Sequence, residues 1–286
     1  MKRYRLRSQM SMKDITLKIL KYFVLSIAAL ITILPLLVVF IGSFKTNQEL
    51  MSSSVLAAPD SWFNLDNYRT AFVEGKMLLG FKNTAIILVA SLFATVMLGT
   101  MTAYILSRFR FRFRNSIKML FLIASLIPSI TMQMSTFQII VGIGLYDTIW
   151  STILLFAGTD IISIYIFLQF LNGIPISIDQ AAIMDGASFP QIFFKVIFPL
   201  LKPAITTVVI IKGVAFYNEF YTPYLYMKSQ NLQVISTAMY RFKGPFNTQW
   251  EVICAGIIIT MVPTLVAFLL LQKKIYSGLT QGSVKE

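Results

Sequence analysis

Long apolar stretches separated by short polar segments run through most of this 286-residue chain. The hydrocarbon core of a bilayer is about 30 Å thick, and an α-helix needs about 20 apolar residues to cross it because each residue rises about 1.5 Å. Six stretches reach that length, at approximately Tyr22–Phe44, Thr84–Leu106, Ile117–Ile139, Ile149–Leu171, Ala204–Met227 and Val252–Leu271. The pattern therefore predicts an all-α integral membrane protein with six transmembrane helices.

The first stretch is expected to remain as a helix rather than to be removed as a signal peptide. A signal peptide has a shorter apolar region with a small-residue cleavage site close behind it. Here the apolar run is longer and continues directly into Gly42–Lys45. Three prolines, Pro35, Pro128 and Pro263, lie inside predicted spans. Proline is tolerated in a transmembrane helix where neighbouring groups satisfy the carbonyls that it leaves unpaired.

The positions of lysine and arginine predict the orientation of the spans. Seventeen of these residues lie before the first span, after the second and fourth spans, or in the C-terminal tail; seven lie in the alternate segments, and Lys212 falls inside span five. Short loops rich in Lys and Arg stay in the cytoplasm, so both termini are expected there. The expected division is a basic cytoplasmic N-terminus at 1–21, a six-span domain at 22–271 containing a polar loop at 172–203, and a cytoplasmic tail at 272–286.

Four arginines between Arg108 and Arg114 form the densest basic run, and Lys118 follows closely. Together with a net charge of +13, this run raises the question of nucleic-acid binding. Nucleic-acid binding needs an extended basic face with aromatic platforms in water, which this sequence lacks. The run is therefore interpreted as an anchor that fixes the topology at the membrane surface.

Composition agrees with a membrane protein and excludes several kinds of active site. Hydrophobic residues make up 56% of the chain and charged residues 13%, against about 25% charged in ordinary soluble domains. One cysteine, Cys254, excludes an internal disulfide, and the lack of histidine excludes a Cys/His metal cluster. The sequence has no G-x-x-x-x-G-K-[ST] phosphate loop, so the chain is not expected to hydrolyse ATP itself. It therefore predicts no catalytic residues, no metal site and no enzymatic activity.

The segment Asn172–Pro203 is too polar for a span and too long for a simple turn. Ser177 with Gln180 three residues later predicts a capping box, in which each side chain satisfies a free backbone N–H at the start of a helix. This helix is expected to continue to Met184 and to end at Gly186, because glycine readily takes the left-handed conformation found at helix C-termini.

A second helix is predicted directly after that glycine. Ser188 with Gln191 makes another capping box, and Pro190 is tolerated in the first turn of a helix. The loop is thus expected to form a helix–elbow–helix whose small or flexible apolar residues need a covering partner. From the residues alone two interpretations stay open: docking on a partner protein, or an amphipathic hairpin that rests on lipid.

The same loop resembles the E-A-A-x(3)-G-x(9)-I-x-L-P segment of binding-protein-dependent ABC importer permeases. Gln180–Ala182 stands in place of E-A-A, Gly186 follows after the family's three residues, and Val196–Pro199 stands in place of I-x-L-P after nine more. The D-G-A at Asp185–Ala187 is typical of the carbohydrate-uptake branch of that family. The spacing therefore agrees with the family through the whole loop.

The resemblance extends over nearly the whole chain. Leu65–Arg69 resembles the outer-loop L-D-N-Y, Ala103–Phe111 resembles A-Y-A-L-A-R-F-R-F, and Tyr217–Phe220 resembles W-N-E-F with tyrosine in place of tryptophan. Gln272–Lys285 resembles the family ending Q-R-x-F-x-x-G-L-x-x-G-A-V-K. Six spans and a short tail resemble the smaller of the two permease subunits in a maltose-type importer.

The resemblance implies that the loop couples transport to ATP hydrolysis by entering a cleft of a separate cytoplasmic ATPase. It assigns ten residues to this contact: Asp179, Gln180, Ala181, Ala182, Met184, Asp185, Gly186, Ala187, Ser188 and Pro199. Gln180 departs from the family glutamate, whose charge faces a basic residue of the ATPase, and offers neutral hydrogen bonds that are about half as strong. Asp179 is expected as the alternative source of charge, although it projects about 100° away around the helix.

The resemblance also implies the partners and the location. The expected partners are a second permease subunit in a heterodimer, two cytoplasmic ATPase subunits, an extracytoplasmic solute-binding protein, a sugar or oligosaccharide substrate, and the lipid bilayer of the cell membrane. Nucleic acid is not expected as a partner. No cofactor is expected on this chain, since the partner ATPase would bind the ATP.

Polar residues within the spans are costly in hydrocarbon and usually face a protein interior or a water-filled cavity. Six are candidates for a translocation path with sugar-hydroxyl partners: Gln133, Asp160, Lys212, Tyr217, Asn218 and Glu219. The competing interpretation for most of them is hydrogen bonding between helices. Asn218 and Glu219 are the stronger path candidates because they lie in a family motif, and Lys212 is expected to neutralise Asp160.

Three other functions fit parts of the sequence. An importer of the same architecture would carry another solute, such as a polyamine or glycerol phosphate. An ion-coupled secondary carrier would use Asp160 and Glu219 as proton or sodium sites, but such carriers commonly contain paired repeats, which are not evident here. A structural scaffold or receptor would need no ATPase. The resemblance of Ala103–Phe111 and of the C-terminal segment to the carbohydrate branch favours a sugar importer.

Overall fold

The computed structural model describes residues 12–158, 160–244 and 248–281, most of which are helical. The helices are α1 (Met12–Gly42), α2 (Asn47–Ser52), α3 (Asp66–Val73), α4 (Met77–Arg108), α5 (Arg114–Leu126), α6 (Gln133–Gly142), α7 (Ile149–Gly158), α8 (Ile161–Asn172), α9 (Ile176–Met184), α10 (Phe189–Gln191), α11 (Phe198–Leu200), α12 (Lys202–Asn218), α13 (Tyr221–Tyr226), α14 (Ile235–Ala238) and α15 (Trp250–Gln281). A π-helix at Ile192–Ile197 joins α10 to α11. Within these ranges the only β feature is an isolated antiparallel bridge between Lys243 and Thr248. The predicted all-α class is confirmed for the described residues.

Three helical segments are long and apolar enough to cross a membrane without a break: Thr16–Gly42, Met77–Arg108 and Trp250–Gln272. Pro35 and Pro263 lie inside the first and third of them, as predicted. Three further candidates are pairs of helices bent at a short break, so the part of the chain that is described holds up to six spans if each pair counts as one.

The third predicted span is broken at its proline. Helix α5 and the helical segment Ile130–Gly142 are bent by 91° with respect to each other. Ile127, at the end of α5, has an extended backbone with φ −77° and ψ 121°. A residue that precedes proline is driven out of the helical region by the proline ring. A single helix over Ile117–Ile139 is therefore wrong, and Pro128 supplies the physical reason.

The fourth and fifth predicted spans are also interrupted. Helices α7 and α8 are bent by 41° at a break next to Asp160. Helix α12 ends at Asn218 and the separate helix α13 follows, so the fifth predicted span does not continue as one helix to Met227. Glu219 has an extended backbone at this point, and its carboxylate accepts hydrogen bonds from two backbone N–H groups at the start of α13, at 2.8 and 3.1 Å. An acceptor in that position favours the start of a new helix.

Internal contacts divide the chain into two compact units. The first unit contains Met1–Ala71 and Phe242–Ile259, and the second contains Phe72–Arg241 and Thr260–Glu286. The second unit includes the loop 172–203 and all six path candidates.

In the first unit, two residues of the L-D-N-Y segment hold the chain directly after α1. The Asn67 amide donates to the carbonyls of Ser43 and Lys45, at 3.0 and 2.8 Å. The Tyr68 and Ser43 hydroxyls share a hydrogen bond of 2.7 Å. The role of this segment in the structure is therefore to fix the turn at the end of α1.

Helix α4 is the central helix of the second unit. It packs against α7, α8, α12 and α14, and its buried side chains join those of α8, the π-helix and α12 in one hydrophobic core. Gly99 allows α4 and α8 to approach closely, because a Cβ atom at this position would lie 3.0 Å from the Phe167 ring. The Asn83 amide donates to the carbonyls of Asn231 and Gln233, both at 2.9 Å, and ties α4 to the segment before α14.

Glu49 organises the segment between α1 and α3. Its carboxylate accepts hydrogen bonds from the backbone N–H groups of Thr46 and Asp60, at 2.5 and 2.7 Å, and its own N–H donates to the Thr46 hydroxyl at 3.3 Å. These bonds, with the Thr46 N–H as the largest cause, favour the ionised form and lower the pKa of Glu49 to about 2.

We expect Glu49→Gln to loosen this segment, because a neutral amide oxygen is a weaker acceptor than a carboxylate. Since the pKa is lowered, the stabilisation is present above the ordinary carboxyl range and is lost as the pH falls toward about 2. Backbone hydrogen exchange at Thr46 and Asp60 should therefore be faster in the variant at neutral pH. Asp66→Asn changes a carboxylate of the same unit and serves as the control. Unchanged exchange in Glu49→Gln would contradict this account.

Candidate coupling loop and intramembrane polar residues

A left-handed turn at Gly186 follows α9, as the sequence predicts. Helix α9 ends at Met184, and Gly186 has φ +80°, a conformation that costs a residue with a side chain about 1–2 kcal/mol. The N–H of Gly186 donates to the Ile183 carbonyl at 2.9 Å, and the N–H of Ala187 donates to the Ala182 carbonyl at 3.0 Å. This pair of bonds is a Schellman motif, which closes the helix end and gives the elbow a defined geometry.

The start of α9 differs from the prediction. The helix begins at Ile176, with Pro175 at the N-cap position and Ser177 already in the first turn. No side chain caps α9, so the predicted capping box between Ser177 and Gln180 is wrong. Proline lacks an N–H and its φ, here −58°, is already suited to a helix start. The chain therefore enters the helix earlier than a cap at Ser177 would allow.

The second helix begins as predicted. Ser188 is its N-cap, the capping box with Gln191 is present, and the Ser188 N–H donates to Gln191 Oε1 at 2.8 Å. The helix then widens into the π-helix Ile192–Ile197, which no pattern in the loop had predicted. Pro199 is the sequence signal for this widening, because it lacks an N–H and its ring crowds the carbonyl four residues earlier.

Most of the predicted coupling residues are accessible. Seven of the ten are exposed: Gln180, Ala181, Met184, Asp185, Gly186, Ser188 and Pro199. Ala182 and Ala187 are half-buried against the hydrophobic core of the second unit. Met184 is 86% exposed, so its apolar side chain is open to contact by a partner.

Asp179, the tenth residue, is buried. Its Oδ2 lies 3.1 Å from Arg108 Nε, and its Oδ1 accepts a hydrogen bond of 3.1 Å from the Tyr104 hydroxyl. The prediction that Asp179 supplies a charge to a partner protein is therefore wrong, because an internal arginine already neutralises that charge.

Arg108 is more than the topological anchor that the basic run predicts. Besides Asp179, its guanidinium contacts two backbone carbonyls, Ile174 at 2.9 Å and Leu171 at 3.4 Å. The spacing of Tyr104 and Arg108, four residues apart on one face of a helix, is the sequence signal for a shared polar partner. The identity of that partner is not encoded locally, since Asp179 lies far along the chain.

The predicted pairing of Lys212 with Asp160 is confirmed. Lys212 Nζ lies 2.5 Å from Asp160 Oδ1, and the hydroxyl and N–H of Ser163 both donate to the same carboxylate. Asp160 is the N-cap of α8, so the pair joins the break after α7 to α12. Both charges therefore have internal partners, which favours the structural interpretation of these two residues.

The remaining path candidates lie in different surroundings. The Tyr217 hydroxyl donates to the Thr260 carbonyl at 2.9 Å, and the exposed Asn218 donates its amide back to the Val214 carbonyl of its own helix at 2.9 Å. Gln133 is half-buried at the start of α6.

Two candidates, Tyr217 and Glu219, line the same small cavity, together with Thr84, Phe216 and Ser236. Of the six path candidates, the structure therefore brings together this pair at the end of α12 and, separately, the ion pair of Asp160 with Lys212.

The described residues combine long apolar helices, helix breaks at which a carboxylate accepts backbone hydrogen bonds, and an exposed elbow, as in a membrane protein. The family described as "Binding-protein-dependent transport system inner membrane component" matches residues 95–275, which is more than half of the chain. The chain belongs to this family, and the resemblance noted in the loop is thereby confirmed. The matched range includes both the elbow and Arg108.

Curated relatives are similar over most of their length. The arabinooligosaccharides transport system permease protein AraQ of Halalkalibacterium halodurans is 29% identical over 259 residues, covering 90% of this chain and 92% of the relative. The probable starch degradation products transport system permease protein AmyC of Thermoanaerobacterium thermosulfurigenes is 29% identical over 273 residues, covering 94% and 97%. The melibiose/raffinose/stachyose import permease protein MelC of Bacillus subtilis is 28% identical over 264 residues, covering 91% and 94%.

A solved structure has the same fold. It belongs to a bacterial ABC transporter involved in the import of the acidic polysaccharide alginate, with a TM-score of 0.80 and 21% identity, and the match covers 92% of this chain and 98% of that chain. The family and these relatives are components of membrane transport systems rather than enzymes. The prediction that the chain is not an enzyme is confirmed by this membership.

Replacing one member of the Asp160–Lys212 pair is expected to damage the protein more than replacing both. Asp160→Asn or Lys212→Gln alone leaves a buried charge without its partner, at a cost of about 3–5 kcal/mol, whereas the double change leaves none. The amount of folded protein in membranes and its thermal unfolding in detergent provide the measurement. Lys202→Gln removes an exposed lysine from the same helix and is the control. Equal damage in the single and double variants would refute the structural role of the pair.

Proposed function

We propose that the chain is the transmembrane permease subunit of an ATP-driven ABC importer for a sugar or oligosaccharide. In this role it couples ATP hydrolysis by a separate ATPase to alternating access. The observation that carries the proposal is the exposed elbow: a helix closed by a Schellman motif, a left-handed turn at Gly186 and a capped second helix, at the position of the family's coupling loop.

The chemistry of the elbow suits a cleft in a partner protein. Met184 and Phe189 are large apolar side chains that are mostly exposed, and covering such surface contributes about 25 cal/mol per Å². Gln180 and Asp185 add exposed polar groups beside them. Because Asp179 is held inside the protein, Gln180 offers the ATPase neutral hydrogen bonds, and Asp185 is the exposed carboxylate closest to the elbow.

Six transmembrane segments result if the first two bent pairs each form one span and, in the third pair, which is bent by 70°, only Lys202–Asn218 crosses the membrane. The excess of Lys and Arg then assigns the loop 172–203 and both termini to the cytoplasmic side of the cell membrane. This orientation supports the proposed contact, because it presents the elbow to the compartment in which ATP is hydrolysed. The basic N-terminus at 1–21 and the tail at 272–286 lie on the same side in this arrangement.

A second permease subunit, two ATPase subunits and an extracytoplasmic solute-binding protein complete the proposed importer. The most apolar part of Thr16–Gly42 is not buried by other residues of this chain. Lipid and a second permease subunit are therefore proposed to cover it. ATP binds to the ATPase in this scheme, and the chain itself needs no cofactor.

Sugar is the proposed substrate class because the relatives are named for arabinooligosaccharides, starch degradation products, and melibiose, raffinose or stachyose. Tyr217 and Glu219 are the proposed path residues, since they line a common cavity. The internal pairing of Asp160 with Lys212 disfavours an ion-coupled carrier, because the Asp160 carboxylate already has a cationic partner within the chain.

The chain should co-purify with a cytoplasmic ATPase and should not carry sugar alone. Liposomes that contain the assembled importer and its solute-binding protein should take up a radiolabelled oligosaccharide such as raffinose only when ATP is supplied. Liposomes with the chain alone are the control and should show no uptake. Sugar uptake by the chain alone, or uptake without ATP, would rule out the proposed function.

Gly186→Val is expected to abolish most transport while leaving insertion into the membrane normal. A valine side chain makes the backbone conformation with φ +80° unfavourable by about 1–2 kcal/mol or more, so the elbow is expected to change shape. Gly142→Val is the matched control, because a Cβ atom there meets no other atom within 4 Å and the backbone has no positive φ. ATP-dependent sugar uptake and the amount of protein in the membrane are measured for both variants. Unchanged uptake in Gly186→Val would remove the coupling role of the elbow.

A further inference from the structure

One arginine at the C-terminal end of α4 holds together three parts of the coupling region. The Arg108 guanidinium lies 3.1 Å from Asp179 Oδ2 on α9, and it donates to the Ile174 carbonyl at 2.9 Å and to the Leu171 carbonyl at 3.4 Å. Leu171 belongs to the last turn of α8, and Ile174 lies in the short link between α8 and α9. A single side chain therefore connects the ends of α4 and α8 to α9.

Tyr104, one turn before Arg108 on α4, completes the contact. Its hydroxyl donates to Asp179 Oδ1 at 3.1 Å, so each carboxylate oxygen has its own partner. The Tyr104 ring packs against Phe109 and Phe193, with ring centroids 5.8 and 5.4 Å apart, which fixes the position of the hydroxyl. We refer to Tyr104, Arg108 and Asp179 as the α4–α9 clamp.

The clamp is the buried attachment of α9, which also contacts the π-helix Ile192–Ile197. Asp179 is the one buried residue of that helix, all of which is described. Ile176, Ile183 and Met184 are exposed, and Ala182 is only half-buried against the core. The apolar contacts of α9 are thus made by residues that are at most half-buried, and its one fully buried contact is made by a carboxylate.

Burial strengthens this contact. The side chains of Arg108 and Asp179 are 8% and 9% exposed. Away from water the attraction between the two charges is stronger, and removing one partner leaves the other charge without compensation. Arg110 and Arg112, from the same basic run, are exposed by contrast. Arg108 therefore has a role that its neighbours do not share.

We propose that the clamp transmits displacements of α9 to α4, so that the two helices move as one body during each transport cycle. The inference rests on the proposed docking of the elbow on an ATPase. Helix α4 packs against α7, α8, α12 and α14, so a displacement delivered to α4 reaches the whole core of the second unit. Tyr104, Arg108 and Asp179 are positioning residues, since they are buried and act through the helices that they join.

The test uses the assembled importer in proteoliposomes, with Asp179→Asn as the main variant. Asparagine keeps the shape of the aspartate side chain and removes its charge. The ATPase should be retained and ATP hydrolysis should continue, while the sugar transported per ATP hydrolysed falls about tenfold. Tyr104→Phe removes one hydroxyl, folds without a buried unpaired charge, and should lower the same ratio about threefold.

Two control variants remove similar groups outside the clamp. Arg114→Gln changes an arginine that donates to the Leu106 and Ser107 carbonyls, and Tyr165→Phe removes a hydroxyl that donates to the Lys118 carbonyl. Both should keep the ratio of transport to hydrolysis near that of the wild type. An unchanged ratio in Asp179→Asn overturns the clamp. A parallel loss of assembly, hydrolysis and transport also overturns it, because that pattern shows a purely structural role.

Hydrogen exchange separates the clamp from the proposed function. In the full chain without partners, the backbone amides of α9 should exchange about tenfold faster in Asp179→Asn than in the wild type, because local opening is easier. Unchanged exchange overturns the clamp even when the wild-type importer transports sugar. A wild-type chain that retains no ATPase overturns the proposed function, and the transmission role with it, even when exchange shows that the clamp anchors α9.

Discussion

The bilayer core offers no water to pair with backbone N–H and C=O groups, so a break in a membrane helix needs other partners, and side chains of the protein are one source of them. This constraint explains where the carboxylates lie. Asp160 caps α8 after the break that follows α7, and Glu219 accepts hydrogen bonds at the start of α13. At the C-terminal end of α4 the free backbone groups are carbonyls, and the Arg114 guanidinium donates to two of them at 2.7 and 3.0 Å. Interrupted helices are thus tolerated where a charged or polar side chain stands at the interruption.

Hydropathy predicted α4 and α15 well, because uninterrupted apolar length is the quantity that it measures. It did not predict the breaks near Pro128 and Asp160, because hydropathy measures how apolar a segment is and not whether its backbone continues as one helix. Local chemistry predicted the elbow at Gly186, since a left-handed turn is a property of a few adjacent residues. It failed for Asp179, whose partner lies on α4, far away in the sequence. Most residues near Asp179 in α9 are exposed, so the neighbouring sequence does not indicate that this carboxylate is buried.

Helix α9 has two faces with different tasks. One face carries exposed residues such as Gln180 and Met184, and the other presents a single buried carboxylate to α4. The carboxylate is held from two sides, by the charge of the Arg108 guanidinium and by a hydrogen bond from the Tyr104 hydroxyl. The fold therefore combines a surface free to meet a partner with a buried attachment to α4.

The ion pair of Asp160 with Lys212 also has a consequence for biogenesis. Asp160 is synthesised well before Lys212, so α7 and α8 emerge with a charge whose counter-ion does not yet exist. Insertion of one such charge at the centre of a lone helix costs about 2.5–3.5 kcal/mol. Until α12 is in place, this charge therefore adds to the free-energy cost of inserting α7 and α8. Only the arrival of Lys212 on α12 compensates the charge that Asp160 brings into the membrane.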